Sequence, residues 1–424
     1  MTRRWLQQLL GDTQSQAFFD KFVGIQWLHG KTGIQPRPLD DLVTLRDVEL
    51  LLFDGDRRDS ILLAVGGPAT PPGGKDTPNH RCSAAEAVDE WAAGKTLIFN
   101  DIDAQLPAVH ALARGLEGEL KCRVGCNLYL TPAHGHGLKT HYDPHDVFVL
   151  QLMGSKQWRV GASAADSPMP FQMHDKVFPQ ITGEPSEILL KPGNVLYIPR
   201  GVLHDAVAGD ELSCHLTIGL HPKTYLDAIL AAVTLAADHD PQFRKYLPLG
   251  SFAIDDDAVV EARRLMSLVS QASFREAQEA FRELLASQRR RAPMGLLGLY
   301  GKSGQLSEND RFRAVPHLIC SVSRTARGIK LRAMGKTIVL PLRNANDVEL
   351  CCSGTVFRLS DLRGQSSREA SMDFVRRLVF EGLVQRLAPQ DDPGDVPVDV
   401  VRDAPSSARA QYLMELAKYS WHGK

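Results

Sequence analysis

No run of apolar residues in this 424-residue chain approaches the roughly 20 needed to cross a bilayer, which sets membrane-spanning functions aside. The first residues, Met1-Thr2-Arg3-Arg4-Trp5, open an amphipathic stretch with no long apolar core, so we expect no signal peptide. Cysteine is sparse, with seven scattered residues. Cys122 and Cys126 are four apart, Cys351 and Cys352 are adjacent, and neither spacing suits a zinc site. Reduced thiols and a cytoplasmic setting are expected. Neither sign of charge dominates: 49 Lys and Arg stand against 50 Asp and Glu, a formal charge of -1. This argues against a dominant nucleic-acid or membrane footprint, although a local basic patch remains compatible. Internal repeats are lacking too. What is present, 43% hydrophobic and 23% charged residues, is an ordinary globular composition with length for two or three domains.

Apolar spacing predicts a helix over residues 5–23, short alternating stretches at Val48–Phe53 and Ile61–Val65, and a Gly/Pro-rich loop from Gly66 to Pro78. Ser83 with Glu86 forms a capping-box pattern for a helix through Trp91. A strand at 96–100 and a helix at 108–120 precede a change of texture. From Lys121 to Leu220 the chain reads as short strands between Gly/Pro turns, which suggests an all-β barrel or jelly roll. Helices follow at 225–237 and 257–290, the second with an apolar stripe from Val260 to Leu285. A hairpin across Met334-Gly335-Lys336, a unit beginning at Val356 and a helix at 371–383 make a small α+β module. A Pro/Asp-rich linker (391–405) and a short helix (408–419) end the chain.

The chemistry gathers around His141 and Asp143. Two residues apart, they project from the same face of an extended strand and make half of a metal clamp. Two histidines and one carboxylate leave three positions open on a metal, a set that favours non-haem Fe(II). For the third ligand there are four candidates, His145, His204, His215 and His221. Pro144 disturbs the strand before His145. His204 follows Lys191–Gly201, where one turn launches a strand and Pro199-Arg200-Gly201 reverses it, bringing His204 back opposite His141, and we select it. The run Val147–Leu152 reads as a buried strand. After the Gly154-Ser155 turn, Lys156, Trp158 and Val160 share one face of the return strand. A lysine facing a core is costly without a partner, and an acidic ligand would supply one. His134 and His136 read as a rim loop, and Arg289-Arg290-Arg291 as a solvated helix end.

These residues also carry a family resemblance. His141-Tyr142-Asp143, the stretch Asp146–Arg159 and the stretch Leu196–His204 look like the JmjC-type 2-oxoglutarate oxygenases. The closer match is the ribosomal-oxygenase branch, which hydroxylates ribosomal proteins. Asn127–Pro132 belongs to the same pattern, which covers roughly residues 96–220. The resemblance implies an α+β chain: a double-stranded β-helix of the cupin or jelly-roll kind with flanking helices (1–222), a helical segment mediating a homodimer (223–300), and a winged-helix-like domain with a tail (310–424). It implies that His141, Asp143 and His204 hold Fe(II), and that Lys156 pairs with the distal carboxylate of 2-oxoglutarate. Asn127 and Tyr129 would line the pocket and Thr217 would face the same cavity, as could His215, although His215 reads more readily as a satisfied core histidine. The implied reaction consumes O2 and hydroxylates a side chain in a protein or peptide, a ribosomal protein foremost. Alternatives are a tailoring hydroxylase for a biosynthetic peptide or carrier-bound amino acid, N-methyl-lysine demethylation, and a cupin binding module without turnover. Nucleic acid is not an expected partner. Relatives that hydroxylate histidine carry a small hydroxyl residue where this chain has Gly219, which leaves a histidine target unsupported.

Overall fold

The computed structural model describes residues 5–33, 42–58, 61–64, 80–81, 83–169, 172, 180–247, 255–289, 306–388, 391 and 394–402. The Gly66–Pro78 loop, Arg290, Arg291 and the 408–419 helix lie outside the described residues. The chain divides into two compact units, residues 3–221 and 222–422.

Period-two alternation in which both parities are apolar or functional dictates the first unit. Its strands are β1 (Leu28–Lys31), β2 (Ile61–Ala64), β3 (His80–Arg81), β4 (Thr96–Phe99), β5 (Arg123–Thr131), β6 (Asp146–Met153), β7 (Lys156–Ser163), β8 (Ser186–Leu190), β9 (Asn194–Ile198), β10 (Val202–Ala208) and β11 (Ser213–His221). Eight form one sheet in the order β1-β9-β6-β11-β5-β4-β2-β3, and β10-β7-β8 form a second. On β6, Phe148, Leu150 and Leu152 belong to one core, while Val147 and Val149 belong to another. The first core lies between the large sheet and helices α1 (Trp5–Leu10), α2 (Ser15–Lys21), α3 (Leu45–Arg58), α4 (Ala84–Ala92) and α5 (Pro107–Leu120). The second joins β6 and β9 to Trp158 and Val160 of β7, Ile188 and Leu190 of β8, and Val202 and Ala206 of β10. β6 is therefore buried on both faces, which is why it reads as a continuous apolar run. Each fully buried Leu, Val or Phe contributes about 1.5–3 kcal/mol.

Two expectations in this unit change. Residues 5–23 form two helices, because Gly11 takes φ +60° and breaks the first. A Cβ there would lie 1.9 Å from the Lys31 carbonyl oxygen, so the turn needs glycine. Val48–Phe53 lies inside a helix rather than an alternating stretch. Thr44 and Asp47 exchange hydrogen bonds of 2.8 and 3.1 Å at its start, a capping box missed in the reading. The expected box at Ser83 and Glu86 is present and opens α4.

The second unit begins with α6 (Tyr225–His239), capped by a Thr224–Asp227 box, followed by α7 (Asp256–Met266) and α8 (Gln271–Gln288). The single helix expected over 257–290 is broken at 267–270, where Ser270 caps the next helix. Ala231 and Leu235 of α6 pack on Ala277 and Ala280 of α8. Strands β12 (Arg311–Ala314), β13 (Leu318–Thr325), β14 (Gly328–Ala333), β15 (Lys336–Leu340), β16 (Val384–Leu387) and β17 (Val398–Arg402) form a β12-β16 pair and a β15-β14-β13-β17 sheet. The β14-β15 hairpin turns at Met334-Gly335, as expected. β17, by contrast, is a strand inside the expected 391–405 linker, running parallel to β13. Helices α9 (Ala345–Cys351) and α10 (Arg368–Phe380) cover a core that includes Phe312, Leu331, Phe357, Val375 and Leu378. Arg289 is 2% exposed and donates to the His317 carbonyl, so it is a buried anchor and not part of a solvated helix end.

Candidate active site

β11 lies between β5 and β6 and sets the register of the site. Thr217 stands opposite Asn127 and Val149, His215 opposite Tyr129 and Gln151, and Gly219 opposite Gly125 and Val147. The neighbouring positions Leu128, Leu216 and Ile218 enter the helix-side core. Odd-numbered residues of β5 and β11 are thereby committed to the inner face. They border an open cavity whose walls include Tyr129, His141, Asp143, Lys156, His204 and Thr217. Asn127 is not among the lining residues; its Oδ1 accepts the Asp101 amide at 3.1 Å.

His141 precedes β6 and pairs with His204 of β10 as an isolated antiparallel bridge. The two backbones exchange hydrogen bonds of 3.1 and 2.8 Å. One ligand atom each from His141, Asp143 and His204 lie within 4.8 Å of one another, and His204 Nε2 is 3.7 Å from Asp143 Oδ2. Each imidazole is held by its other nitrogen. His141 Nδ1 donates to the Lys139 carbonyl at 2.8 Å and His204 Nδ1 to the Val202 carbonyl at 3.0 Å, which leaves both Nε2 lone pairs for the cluster. Burial and the neighbouring His141 push the His204 imidazole down to about 4, so it is neutral, as a ligand must be. Burial alone would raise the Asp143 carboxyl, but His145, His141 and His204 together hold it below its usual range.

Behind the cluster, Asp205 accepts Arg159 Nε and Nη2, each at 2.7 Å, and Thr140 Oγ1 at 2.5 Å. This brace joins β7, β10 and the residue before His141.

Lys156 is 1% exposed. Its Nζ donates to Thr131 Oγ1 at 2.8 Å, Thr131 reaches Thr96 Oγ1 at 2.9 Å, and Thr96 donates to the His136 carbonyl at 2.9 Å. With no carboxylate of the described residues in contact, burial pulls its ammonium down to about 7. A buried amine facing a cavity with one hydroxyl neighbour suits an acidic ligand. Thr131 was missed in the sequence, although it shares the parity of Asn127 and Tyr129. Trp158 and His215 complete the wall: His215 stacks on Tyr129 at 4.8 Å and its Nδ1 has no hydrogen-bond partner among the described residues.

Of the other histidines considered, His145 and His221 stack on each other at 4.5 Å beside Gly219, and His215 keeps to the cavity wall. A Cβ at Gly219 would lie 2.9 Å from His145 Nε2, which explains why no hydroxyl residue fits there without moving His145. His136 pairs with Val207 through its backbone, and exposed His134 lies 3.8 Å from Asp210.

Residues 106–228 match the family model for the JmjC domain. Among curated relatives, the bifunctional lysine-specific demethylase and histidyl-hydroxylase NO66 of Dictyostelium discoideum is 36% identical over 148 residues, 33% of this chain and 29% of that protein. Ribosomal oxygenase 1 of Gallus gallus is 30% identical over 234 residues, 53% of this chain and 39% of that protein. The chain thus spans well under half the length of either relative. Among solved structures, the ribosomal oxygenase YcfD from Escherichia coli, in complex with cobalt and 2-oxoglutarate, aligns at a TM-score of 0.50 and 16% identity. That alignment covers 89% of this chain and 99% of YcfD, and it supports the JmjC cupin-like fold.

Proposed function

Because the chain carries a JmjC domain and matches the ribosomal-oxygenase branch of that family, we propose that it is an Fe(II)- and 2-oxoglutarate-dependent dioxygenase. In this reading it hydroxylates a side chain of a protein, a ribosomal protein foremost. The observation that carries the reading is the convergence of His141, Asp143 and His204 beside the buried, carboxylate-free Lys156. The donor set fits the metal: two neutral imidazole nitrogens with backbone-fixed tautomers and one ionised carboxylate, on one side of an open cavity. Bound Fe(II) would supply O2 activation coupled to decarboxylation of the cosubstrate.

The protein's own contribution is positioning. Lys156 would take the distal carboxylate, and Thr131 would hold the ammonium on axis. Tyr129, whose hydroxyl burial keeps protonated, and Thr217 would direct donors toward the same ligand. Trp158, Val147 and Val149 exclude water from the inner wall. Asn127 would act at one remove, through its hydrogen bond to Tyr129.

We read the second unit as a helical dimerisation segment followed by a winged-helix-like domain. The outer face of α6 supports a dimer: Leu226, Ile229 and Leu230 are 40, 41 and 46% exposed at helical spacing.

The test is O2-dependent succinate formation after anaerobic loading with Fe(II) and 2-oxoglutarate. Wild type is expected to turn over, His141→Ala to lose turnover, and Lys156→Ala to raise KM for 2-oxoglutarate by about tenfold or more. Ribosomal proteins incubated with the enzyme should gain the mass of one oxygen atom. Metal binding without 2-oxoglutarate binding would place the site in a different cupin chemistry.

A further inference from the structure

The formal charge of the whole chain conceals a segregation. Residues 306–388 hold 14 lysines and arginines against 8 aspartates and glutamates, and the remainder of the chain is correspondingly acidic. Ion pairs occupy Arg324, Arg332, Lys336, Arg368, Arg376 and Arg386. Arg327, Arg343 and Arg363 are exposed and form no ion pair with the described residues.

Topology collects these three at one end of the four-stranded sheet. β13 ends at Thr325 and β14 begins at Gly328, so Arg327 sits in the connecting turn. β15 leaves the sheet at the same end, because Leu340 pairs with Ile329, and a Cβ on Gly328 would lie 2.3 Å from the Leu340 carbonyl oxygen. Pro341 then leads directly to Arg343 in a single 3-10 turn. The Arg343 carbonyl oxygen lies 2.3 Å from where a Cβ on Gly364 would stand, which seats Arg363 alongside. Arg402 closes β17 there as well, opposite Val322 on β13.

The acidic groups on these elements are Asp347, Glu349, Asp361 and Asp399, and exposed Asp361 accepts the Arg358 amide at 2.8 Å. Asp347 is 2% exposed, and its carboxylate accepts the amides of Arg363 and Gly364 at 2.9 and 3.0 Å and Gln365 Nε2 at 2.8 Å. Glu349 faces Arg324 at 3.7 Å, and Asp399 lies three residues back along β17. Leu342 and Val339, both more than half exposed, add apolar surface.

We propose that this arginine corner is a docking surface for the phosphate backbone of RNA. The patch uses arginine, whose planar fork binds phosphate oxygens in pairs and is weakly hydrated. Buried Asp347 holds the backbone of the Arg363 loop beside that of Arg343, so the two residues share a fixed base. RNA is chosen among polyanions on the strength of the ribosomal-substrate reading, since a ribosomal protein is met beside ribosomal RNA. The surface would tether the enzyme near its target, leaving the chemistry to the JmjC domain.

The test is fluorescence anisotropy of the full chain with a labelled RNA hairpin of about 20 nucleotides at several salt concentrations. Wild type is expected to bind with a micromolar Kd at low salt, and log K is expected to fall linearly with log salt. The triple variant Arg327→Glu/Arg343→Glu/Arg363→Glu should bind at least tenfold more weakly with a flatter salt slope. Arg377→Glu should bind within twofold of wild type: Lys336, at the opposite end of the β14-β15 hairpin, pairs with Glu381, which places that end of α10 away from the patch. If the triple variant fails to show the wild-type circular dichroism, the glutamine substitutions at the same positions replace it. Wild-type affinity in the folded variant, or no RNA binding by wild type at low salt, would overturn the proposal. Polyglutamate displacing the hairpin more effectively than unlabelled RNA would overturn it in favour of an acidic protein partner. Succinate formation, measured separately, tests the oxygenase reading, so the two can fail independently.

Discussion

Lys156 holds the largest electrostatic liability of the site, and its sign yields a prediction. Its folded pKa is lowered to about 7 by burial, against 10.5 for the ordinary side chain. Between these values the unfolded chain binds a proton that the folded chain has released, so stability rises with pH. Below about pH 7 both states are protonated, and the cost of burying the ammonium is fully present. Denaturant unfolding of the ligand-free protein should therefore show stability climbing from about pH 7 toward pH 9, by at most about 1.4 kcal/mol per pH unit. Lys156→Met should remove that slope, and an unchanged slope would assign it to another group. At this scale the sequence was informative wherever spacing alone carries meaning. His141 and Asp143 stand two apart, and Lys156, Trp158 and Val160 do indeed share a buried face. The pairing of Lys156 with Thr131 could not be read, because β7 and β5 belong to different sheets and meet only when the two sheets pack face to face.

Helix boundaries were legible where caps are local and were lost where a helix borrows its cap from elsewhere. Ser83 and Glu86 announced α4, whereas α1 takes its cap from α5: Glu119 accepts the amides of Trp5 and Leu6 at 2.7 and 2.9 Å. The same helix pair depends on Gly115, where a Cβ would meet the Trp5 ring at 1.9 Å. Glu119→Ala leaves two helix-start amides unsatisfied and should cost about 1–2 kcal/mol. Gly115→Val must displace the indole and should cost about 1–3 kcal/mol by overpacking, despite valine being no worse than glycine in a helix. Denaturant melts of both variants check this, and a neutral Gly115→Val would mean that Trp5 moves freely. α3 was misread because Val48–Phe53 is apolar enough to mimic a strand, and the Thr44–Asp47 box was the overlooked evidence. β17 is not legible in the sequence because Pro397 and its acidic neighbours mask five residues that pair with β13.

At the scale of the whole molecule, the exposed face of α6 is the proposed dimer surface, and Ile229→Glu with Leu230→Glu should halve the mass measured by sedimentation. A wild-type mass equal to that of one chain would remove the dimer reading altogether. The near-neutral total charge argues only against a dominant nucleic-acid footprint, because a sum does not report how its parts are distributed. The division of β5 and β11 between cavity and core carries a different consequence. Along β5 and β11 every residue that faces the cavity is flanked in sequence by residues of the helix-side core, such as Cys126, Leu128, Leu216 and Ile218. An insertion or deletion in either strand would exchange the two sets, and no drift in ligand contacts there is independent of packing. Evolutionary change in target preference is therefore expected to have been channelled into joining segments such as residues 132–139, where a change of length does not exchange two packed faces.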